Sequence, residues 1–225
     1  MTRLLLLAAL VLAMPAVAAE HPYLTPAQVD LLHLLPPPPA DDGPELALVL
    51  DAEHARSPER AAQAAADAEE TVFDMFRPVL GGHFAPEAAP LATQVFDRLG
   101  ETESSLTGPV KKTYARKRPF LVSPEVHPAV PTSKSGSYPS GHATRVTMDG
   151  IVLASMLPER RDAIFARMSD YAQSRVIGGA HFPSDIEAGA RSGTAAAAVL
   201  FDDPAFMADY APARQQLRAA LGLPE

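Results

Sequence analysis

Residues 140–156 read Ser-Gly-His-Ala-Thr-Arg-Val-Thr-Met-Asp-Gly-Ile-Val-Leu-Ala-Ser-Met, and this stretch decides the fold. Ser140 is a favourable N-cap, and Pro139 disfavours helical backbone at Tyr138, so we expect a helix to begin here. Apolar side chains then return at steps of three and four residues, which is typical of a packed helix. Period-two alternation is scarce in the chain. The sequence therefore predicts an all-α fold, a single-domain helical bundle.

Further helix starts are marked by a proline at the first helical position, usually after a capping side chain. The segment after Ser57-Pro58 is rich in alanine and predicts a helix to about Phe76. Another predicted helix begins at Pro158 and reaches Tyr171 or beyond. The remaining two predicted starts are Thr25-Pro26 and Asp203-Pro204.

The first 19 residues have the pattern of a secretory signal peptide. Arg3 precedes an apolar run over residues 4–17, and small residues close the segment at Ala18 and Ala19. A basic start, a short apolar centre and an Ala-x-Ala end are typical of such peptides. The run is too short to span a bilayer. A buried N-terminal helix is the alternative; with a signal peptide, we expect a periplasmic protein.

Four consecutive prolines follow Leu35 and cannot form a helix or a central strand. We expect residues 20–44 to form an N-terminal arm with a stiff connector, and residues 45–225 to form the helical domain. The arm either drapes over the core or a partner subunit, or it is a plain spacer. A homo-oligomer is compatible with the first interpretation.

Composition narrows the possible functions. The net charge of the 225 residues is −8, which argues against a nucleic-acid polymer as partner. There is no cysteine, so thiolate catalysis and Cys-ligated zinc are excluded. No stretch after the first 19 residues is long and apolar enough for a membrane span.

The start of the central predicted helix is a candidate anion site. Backbone N–H groups at a helix start are unpaired and carry partial positive charge. Gly141 lets a ligand approach that backbone, and His142 would lie beside it in the first turn. The alternative is an ordinary capped helix with a surface histidine.

A second candidate segment runs from Ser174 to Asp185. Gly178-Gly179 ends one helix, and Pro183 suits the first turn of the next. His181 would precede that turn, and Asp185 would lie within it, where its carboxylate can orient one imidazole nitrogen and leave the other as a free lone pair. The alternative is a His–Asp contact that only fixes the start of the helix.

The third segment is a basic run, with five cations in the eight residues 111–118. Lys111 as a point charge and Arg118 as a forked donor could converge on phosphate; the alternative is a solvated basic patch. A proline-containing stretch, Phe120–Tyr138, follows and predicts a long loop, with a mobile lid as one possibility.

Together these segments resemble a known signature. Lys-x6-Arg-Pro, Pro-Ser-Gly-His and Ser-Arg-x5-His-x3-Asp are similar to the motifs shared by type 2 phosphatidic acid phosphatases and vanadium haloperoxidases. The string Gly136–His142 resembles the bacterial class A non-specific acid phosphatases in particular. This resemblance implies an all-α bundle of the acid phosphatase and haloperoxidase type.

The resemblance also implies roles. His181 would attack phosphorus to form a phosphohistidine, Asp185 would orient it, and His142 would protonate the leaving alcohol and then activate water. The implied phosphate-binding residues are Lys111, Arg118, Ser140, Gly141 and Arg175. No metal and no cofactor are implied.

The expected function is a periplasmic acid phosphatase that hydrolyses a broad range of phosphate monoesters, with phosphotransfer as a side activity and phosphate or vanadate as inhibitors. The enzyme alternatives are a soluble lipid-phosphate phosphatase and a vanadium-dependent haloperoxidase. A phosphate-binding protein and a zinc site made by His142, His181 and Asp185 are further alternatives.

Overall fold

A computed structural model of the chain describes residues 21–224, and the predicted signal peptide lies outside them. Within this range every regular element is a helix, so the all-α prediction is confirmed. Two short 3₁₀ turns, Pro86–Ala88 and Pro158–Arg160, link longer helices. The α-helices are α1 Leu31–Leu34, α2 Gly43–Ala55, α3 Pro58–Ala66, α4 Val72–Leu80, α5 Pro90–Tyr114, α6 Pro119–Val122, α7 Gly141–Met156, α8 Arg161–Ile177, α9 Pro183–Leu200 and α10 Pro204–Ala220.

Helix α7 is the central element of the bundle, and it packs against α5, α8 and α9. Ser140 accepts a hydrogen bond from the Ala143 N–H, as expected of an N-cap. Val146, Val152 and Met156 are fully buried, so this helix supplies much of the core. Burial of this kind is the main stabilising contribution to such a bundle.

Two glycines of α9 allow it to approach α7 closely. A Cβ atom at Gly189 would lie 2.7 Å from the Ser140 carbonyl oxygen, and one at Gly193 would lie 2.5 Å from the Thr144 carbonyl oxygen. No side chain fits at those distances without backbone movement. The Ser140 N–H also donates to the Asp185 carbonyl oxygen at 2.9 Å. The starts of α7 and α9 are therefore held in contact.

The predicted single helix from Ser57 to Phe76 is wrong, because the structure divides it into α3 and α4. The break follows Asp67, whose buried carboxylate pairs with Arg167 of α8 at 2.5 Å. Thr71 then caps α4 by accepting from the Asp74 N–H. A buried ion pair with a residue outside the segment thus overrides the helix propensity of its alanines.

The helix predicted at Thr25-Pro26 is also absent, and the chain forms only a turn there. The Gln28 side chain does reach back to the Thr25 N–H at 3.0 Å, as in a capping box. The helix does not continue from it; α1 begins only at Leu31, whose side chain is buried in the core.

The proline run lies against the helical body. The Tyr138 hydroxyl donates to the Pro36 carbonyl oxygen at 2.6 Å. Beyond the prolines, Asp42 and Glu45 pair with Arg116. The end of the arm and the first turn of α2 therefore bring two carboxylates to the region where α9 begins.

The loop predicted over residues 120–138 has a short helix, α6, at its start and no regular structure over residues 123–140. The C-terminal part of this loop is hydrogen-bonded to two cationic side chains. Arg118 Nε donates to the Ser135 carbonyl oxygen at 3.0 Å, and Lys111 Nζ lies 3.3 Å from the Gly136 carbonyl oxygen. The lid interpretation stays a prediction.

Candidate active site

A cavity of about 370 Å³ collects side chains from all three candidate segments. The predicted site residues that line it are Lys111, Arg118, Gly141, His142, Arg175 and His181. Ser140 and Asp185 do not line it, and both are fully buried behind it. Other lining residues are Glu70, Glu103, Ser104, Thr107, Gly108, Pro131, Ser133 and Ser135. The structure therefore brings the predicted residues to one place.

His181 lies between the α8 glycine turn and the start of α9, and it is 1% exposed. Its Nε2 atom lies 2.9 Å from Arg118 Nη1. A guanidinium can only donate, so Nε2 accepts and the ring proton is assigned to Nδ1. Nδ1 lies 3.4 Å from Asp185 Oδ2. The lone pair is thus on the nitrogen next to the cavity's cations.

Burial and the charge of Arg118 keep this imidazole neutral. Burial is the larger influence, and together they lower the pKa of His181 to about 3 against the opposing hydrogen bond from Asp185. A neutral ring is the form that can act as a nucleophile, once a bound phosphate draws Arg118 away from the Nε2 lone pair.

Asp185 is held on both of its oxygens. Oδ2 accepts from the Ser137 hydroxyl at 2.5 Å and from the Phe182 N–H at 2.9 Å, while Oδ1 accepts from Arg116 Nη1 at 2.7 Å. Burial alone would raise the pKa of Asp185. The hydrogen bond with His181, the charge of Arg116 and the Ser137 hydroxyl outweigh it and keep the pKa below its usual range. The carboxylate is therefore ionised and fixed in orientation.

Arg116 is a site residue that sequence reasoning missed, since it was counted only as part of the basic run. It is buried, and besides Asp185 it binds Asp42 at 2.8 Å and Glu45 at 2.7 Å. Ala115 before it has a left-handed conformation, with φ of 46°, which ends α5 and redirects the chain. That turn, which local sequence does not signal, brings Arg116 inward.

Lys111 and Arg118 face the cavity from its α5 side. Lys111 Nζ donates to the Pro139 carbonyl oxygen at 2.5 Å, and burial lowers its pKa to about 8. Arg118 Nη2 donates to the Ser135 hydroxyl at 3.0 Å. Both side chains are positively charged at neutral and mildly acidic pH, and both are fixed by the loop before α7.

Arg175, in the last turn of α8, carries a donor without a partner. Its Nη1 atom donates to the Asp67 carbonyl oxygen at 3.3 Å. Its Nε atom is buried and has no hydrogen-bond partner among the described residues. A buried N–H left unpaired costs about 1–3 kcal/mol. Arg175 also lines the cavity together with Lys111 and Arg118, so its charge can stabilise an anion bound there.

The start of α7 supplies backbone donors at the same place. Gly141 lines the cavity, whereas the Ser140 hydroxyl is used as the N-cap of the helix. A Cβ atom at Gly141 would lie 2.8 Å from Glu103 Oε1, so a carboxylate approaches this backbone directly. A larger side chain at position 141 would therefore collide with Glu103, and glycine keeps the helix start open toward the cavity.

His142 is bonded on both ring nitrogens. Nδ1 lies 2.9 Å from Glu70 Oε1, and Nε2 lies 3.2 Å from the Ala68 carbonyl oxygen. Both partners are acceptors, so the ring satisfies both only as the doubly protonated imidazolium. Burial would raise the pKa of Glu70, but the hydrogen bond and charge of His142 lower it overall. A histidine that lines the cavity and is hydrogen-bonded to a carboxylate is placed to exchange a proton with a bound ligand.

The carboxylates of Glu70 and Glu103, called here the rim carboxylates, were not found by sequence reasoning. Glu70 lies between α3 and α4 and Glu103 within α5, and neither belongs to a recognisable motif. Within residues 21–224 no group of three His, Asp or Glu side chains is arranged to hold a metal ion. The zinc alternative therefore finds no support in the described geometry.

The PAP2 superfamily model matches residues 102–206. A non-specific acid phosphatase of Salmonella typhi is 34% identical over 215 residues, covering 89% of this chain and 85% of that protein. One from Salmonella typhimurium is 33% identical over 230 residues, covering 92% and 91%. One from Providencia stuartii is 34% identical over 204 residues, covering 84% and 81%.

Structural comparison supports the same fold. A transmembrane PAP2-type phosphatidylglycerolphosphate phosphatase from Bacillus subtilis superposes with a TM-score of 0.55 and 18% identity, over 77% of this chain and 90% of the other. Among residues 21–224, none of the helices combines the length and apolar character needed to cross a membrane. With this fold, this cavity and relatives that match over most of their length, the chain belongs to the non-specific acid phosphatases of the PAP2 superfamily.

Proposed function

We propose that this acid phosphatase hydrolyses phosphate monoesters through a phosphohistidine formed on Nε2 of His181. The observation that carries the proposal is the arrangement of that atom, with a lone pair 2.9 Å from Arg118 and the Asp185 carboxylate behind the other nitrogen. Neutral His181 would need no activation at mildly acidic pH. Positioning and fixed charge supply most of phosphoryl-transfer catalysis.

In the first step, Arg118, Arg175 and Lys111 hold the phosphoryl oxygens with the help of the Gly141 N–H. The Nε2 lone pair forms a bond to phosphorus as the ester P–O bond breaks. His142 gives a proton to the leaving oxygen, so the product leaves as a neutral alcohol. Positive charge gained by the ring of His181 is stabilised by Asp185, which remains ionised.

In the second step, His142, now neutral, takes a proton from water. The hydroxide equivalent attacks phosphorus, the P–N bond breaks, and the electron pair returns to Nε2 of His181. Phosphate then leaves and His142 is again protonated. An acceptor alcohol in place of water would give phosphotransfer by the same step.

The two histidines must start in opposite protonation states, so activity should follow a bell-shaped pH profile. We further propose a periplasmic location, a broad range of monoesters, metal-independent turnover, and competitive inhibition by phosphate and vanadate. EDTA should leave the rate unchanged; a lost rate that zinc restores would count against this mechanism.

Trapping the intermediate tests the proposal directly. Wild type and His181→Ala are mixed with a labelled monoester and quenched with denaturant at alkaline pH, because protonation of a phosphorylated ring promotes its hydrolysis. Label should remain on the wild-type protein and on the control His127→Ala, whose side chain is exposed, but not on His181→Ala. Turnover by His181→Ala at the wild-type rate would overturn the proposal.

A further inference from the structure

The rim carboxylates lie in the same cavity as three cations, Lys111, Arg118 and Arg175. Glu70 lies 2.9 Å from Nδ1 of His142, the proposed proton donor to the leaving oxygen. A phosphate monoester with its phosphoryl group at the cations and its leaving oxygen at His142 would therefore have its alcohol close to a carboxylate.

The side chain of Glu103 is held in position by a hydrogen bond. Its Oε1 atom accepts from the Thr107 hydroxyl at 2.7 Å and lies against the backbone of Gly141. Its negative charge acts on Lys111, whose pKa it raises against the larger effect of burial. The carboxylate is therefore held close to Lys111 and to the start of α7.

A neighbouring cavity is also lined by acidic side chains. A second cavity of about 360 Å³ shares both rim carboxylates and Ser104 with the first. Its lining adds Asp97 and Glu101, with Arg145 as its one cation. The charge of Arg145 is already used, since its Nε donates to the buried Asp149 carboxylate at 2.6 Å. The lining of this second cavity is thus negatively charged overall.

We propose that the rim carboxylates select phosphate monoesters whose alcohol carries a positive charge, such as amino alcohols, over those whose alcohol carries a negative charge. This inference rests on the proposed function, because it takes the phosphoryl group to lie at the three cations. Phosphate monoesters of neutral alcohols should be selected to an intermediate degree. At roughly 6 Å in a watery environment, one carboxylate changes binding by about threefold per unit of ligand charge.

Three small esters of similar size measure the selection: phosphoethanolamine, ethyl phosphate and phosphoglycolate. The quantity compared is kcat/KM for phosphoethanolamine divided by that for phosphoglycolate, in wild type and in Glu103→Gln. Intrinsic reactivities of the esters cancel in this comparison between proteins. Glutamine can still accept from the Thr107 hydroxyl. We expect the ratio to fall about tenfold, because the two esters differ by two charges.

Glu125→Gln is the matched control, since this exposed glutamate lies in the 123–140 loop and does not line either cavity. It should leave the ratio unchanged, and 0.5 M salt should shrink the ratio in wild type. An equal ratio in wild type and Glu103→Gln, or an equal fall in Glu125→Gln, would overturn the inference.

The selection can be separated from the chemistry by non-hydrolysable ligands. Calorimetry with 2-aminoethylphosphonate, propylphosphonate and phosphonoacetate measures the same charge preference without turnover. A preference that Glu103→Gln removes would support the inference even if no phosphohistidine is trapped. Absence of any preference, in a protein that does form phosphohistidine, would sink this inference and leave the proposed mechanism intact.

Discussion

Arg116 and Asp185 form a buried ion pair, with Nη1 2.7 Å from Oδ1, on the side of the carboxylate away from His181. The pair is almost fully enclosed, so neither group can exchange its partner for water. Through it the orientation of the His181 ring, the proposed nucleophile, depends on a residue that does not line the cavity. Buried partners of this kind usually matter for function as well as for stability.

Replacing Arg116 should therefore reduce both activity and stability. In Arg116→Met the Asp185 carboxylate loses its arginine partner, and a buried charge without a partner costs about 3–5 kcal/mol. We expect kcat to fall about 100-fold and the melting temperature to drop by roughly 10 °C. Steady-state kinetics and calorimetry measure the two effects. Lys117→Met, at an exposed neighbour, should change neither; wild-type kcat in Arg116→Met would contradict the positioning role.

The acid role of His142 predicts a dependence on the leaving group. In His142→Ala, alkyl phosphates should lose about 10²–10⁴ in kcat, because an alkoxide leaves poorly without a proton. p-Nitrophenyl phosphate should lose far less, since its phenolate leaves unaided. Rates with both substrates give the comparison. Equal losses for the two substrates would show that His142 does not protonate the leaving group.

The low pKa of His181, about 3, predicts how stability depends on pH. Between that value and the ordinary 6.5, the unfolded chain binds a proton at this residue and the folded chain does not. Stability of the ligand-free protein should therefore fall as pH falls through this window. In His181→Gln this contribution disappears, so its melting temperature should drop less between pH 7 and pH 4 than that of wild type or His127→Gln. Parallel curves for all three would refute the assignment.

The contact between α7 and α9 predicts a sensitive glycine. In Gly193→Ala the new methyl group would lie 2.5 Å from the Thr144 carbonyl oxygen, so the helices must separate. Overpacking of this kind typically costs about 1–3 kcal/mol. We expect lower thermal stability and, in the folded protein, a lower kcat, because the two helices carry His142 and Asp185. Gly82→Ala, with open space around it, is the control.

Local chemistry explains which parts of the fold and site could be predicted from the sequence. Ser140 and Pro183 act within one helical turn of themselves, so the starts of α7 and α9 were correct. The glycines after Ile177 likewise end α8 where expected. The motif residues lie at or near these helix ends. Predicting the ends correctly therefore placed the motif residues near one another.

The errors and omissions have tertiary causes. The break after Asp67 depends on Arg167, a hundred residues later in the chain, so the Ala-rich segment alone could not indicate it. Glu103 sits on α5 like any exposed helical glutamate until α7 packs beside it. Arg116 differs from its solvated neighbours only because Ala115 turns the chain.

The contacts that Asp42 and Glu45 make with Arg116 connect the N-terminal segment to the candidate active site. Asp42 and Glu45 pair with Arg116, which in turn holds Asp185. The orientation of Asp185 beside His181 therefore depends on a segment that is synthesised early. The N-terminal segment is therefore part of the functional machinery and not a detachable tail. Proteolytic removal of the chain through α2 should abolish activity, because Arg116 then loses the Asp42 and Glu45 carboxylates, and limited digestion followed by assay would reveal the loss.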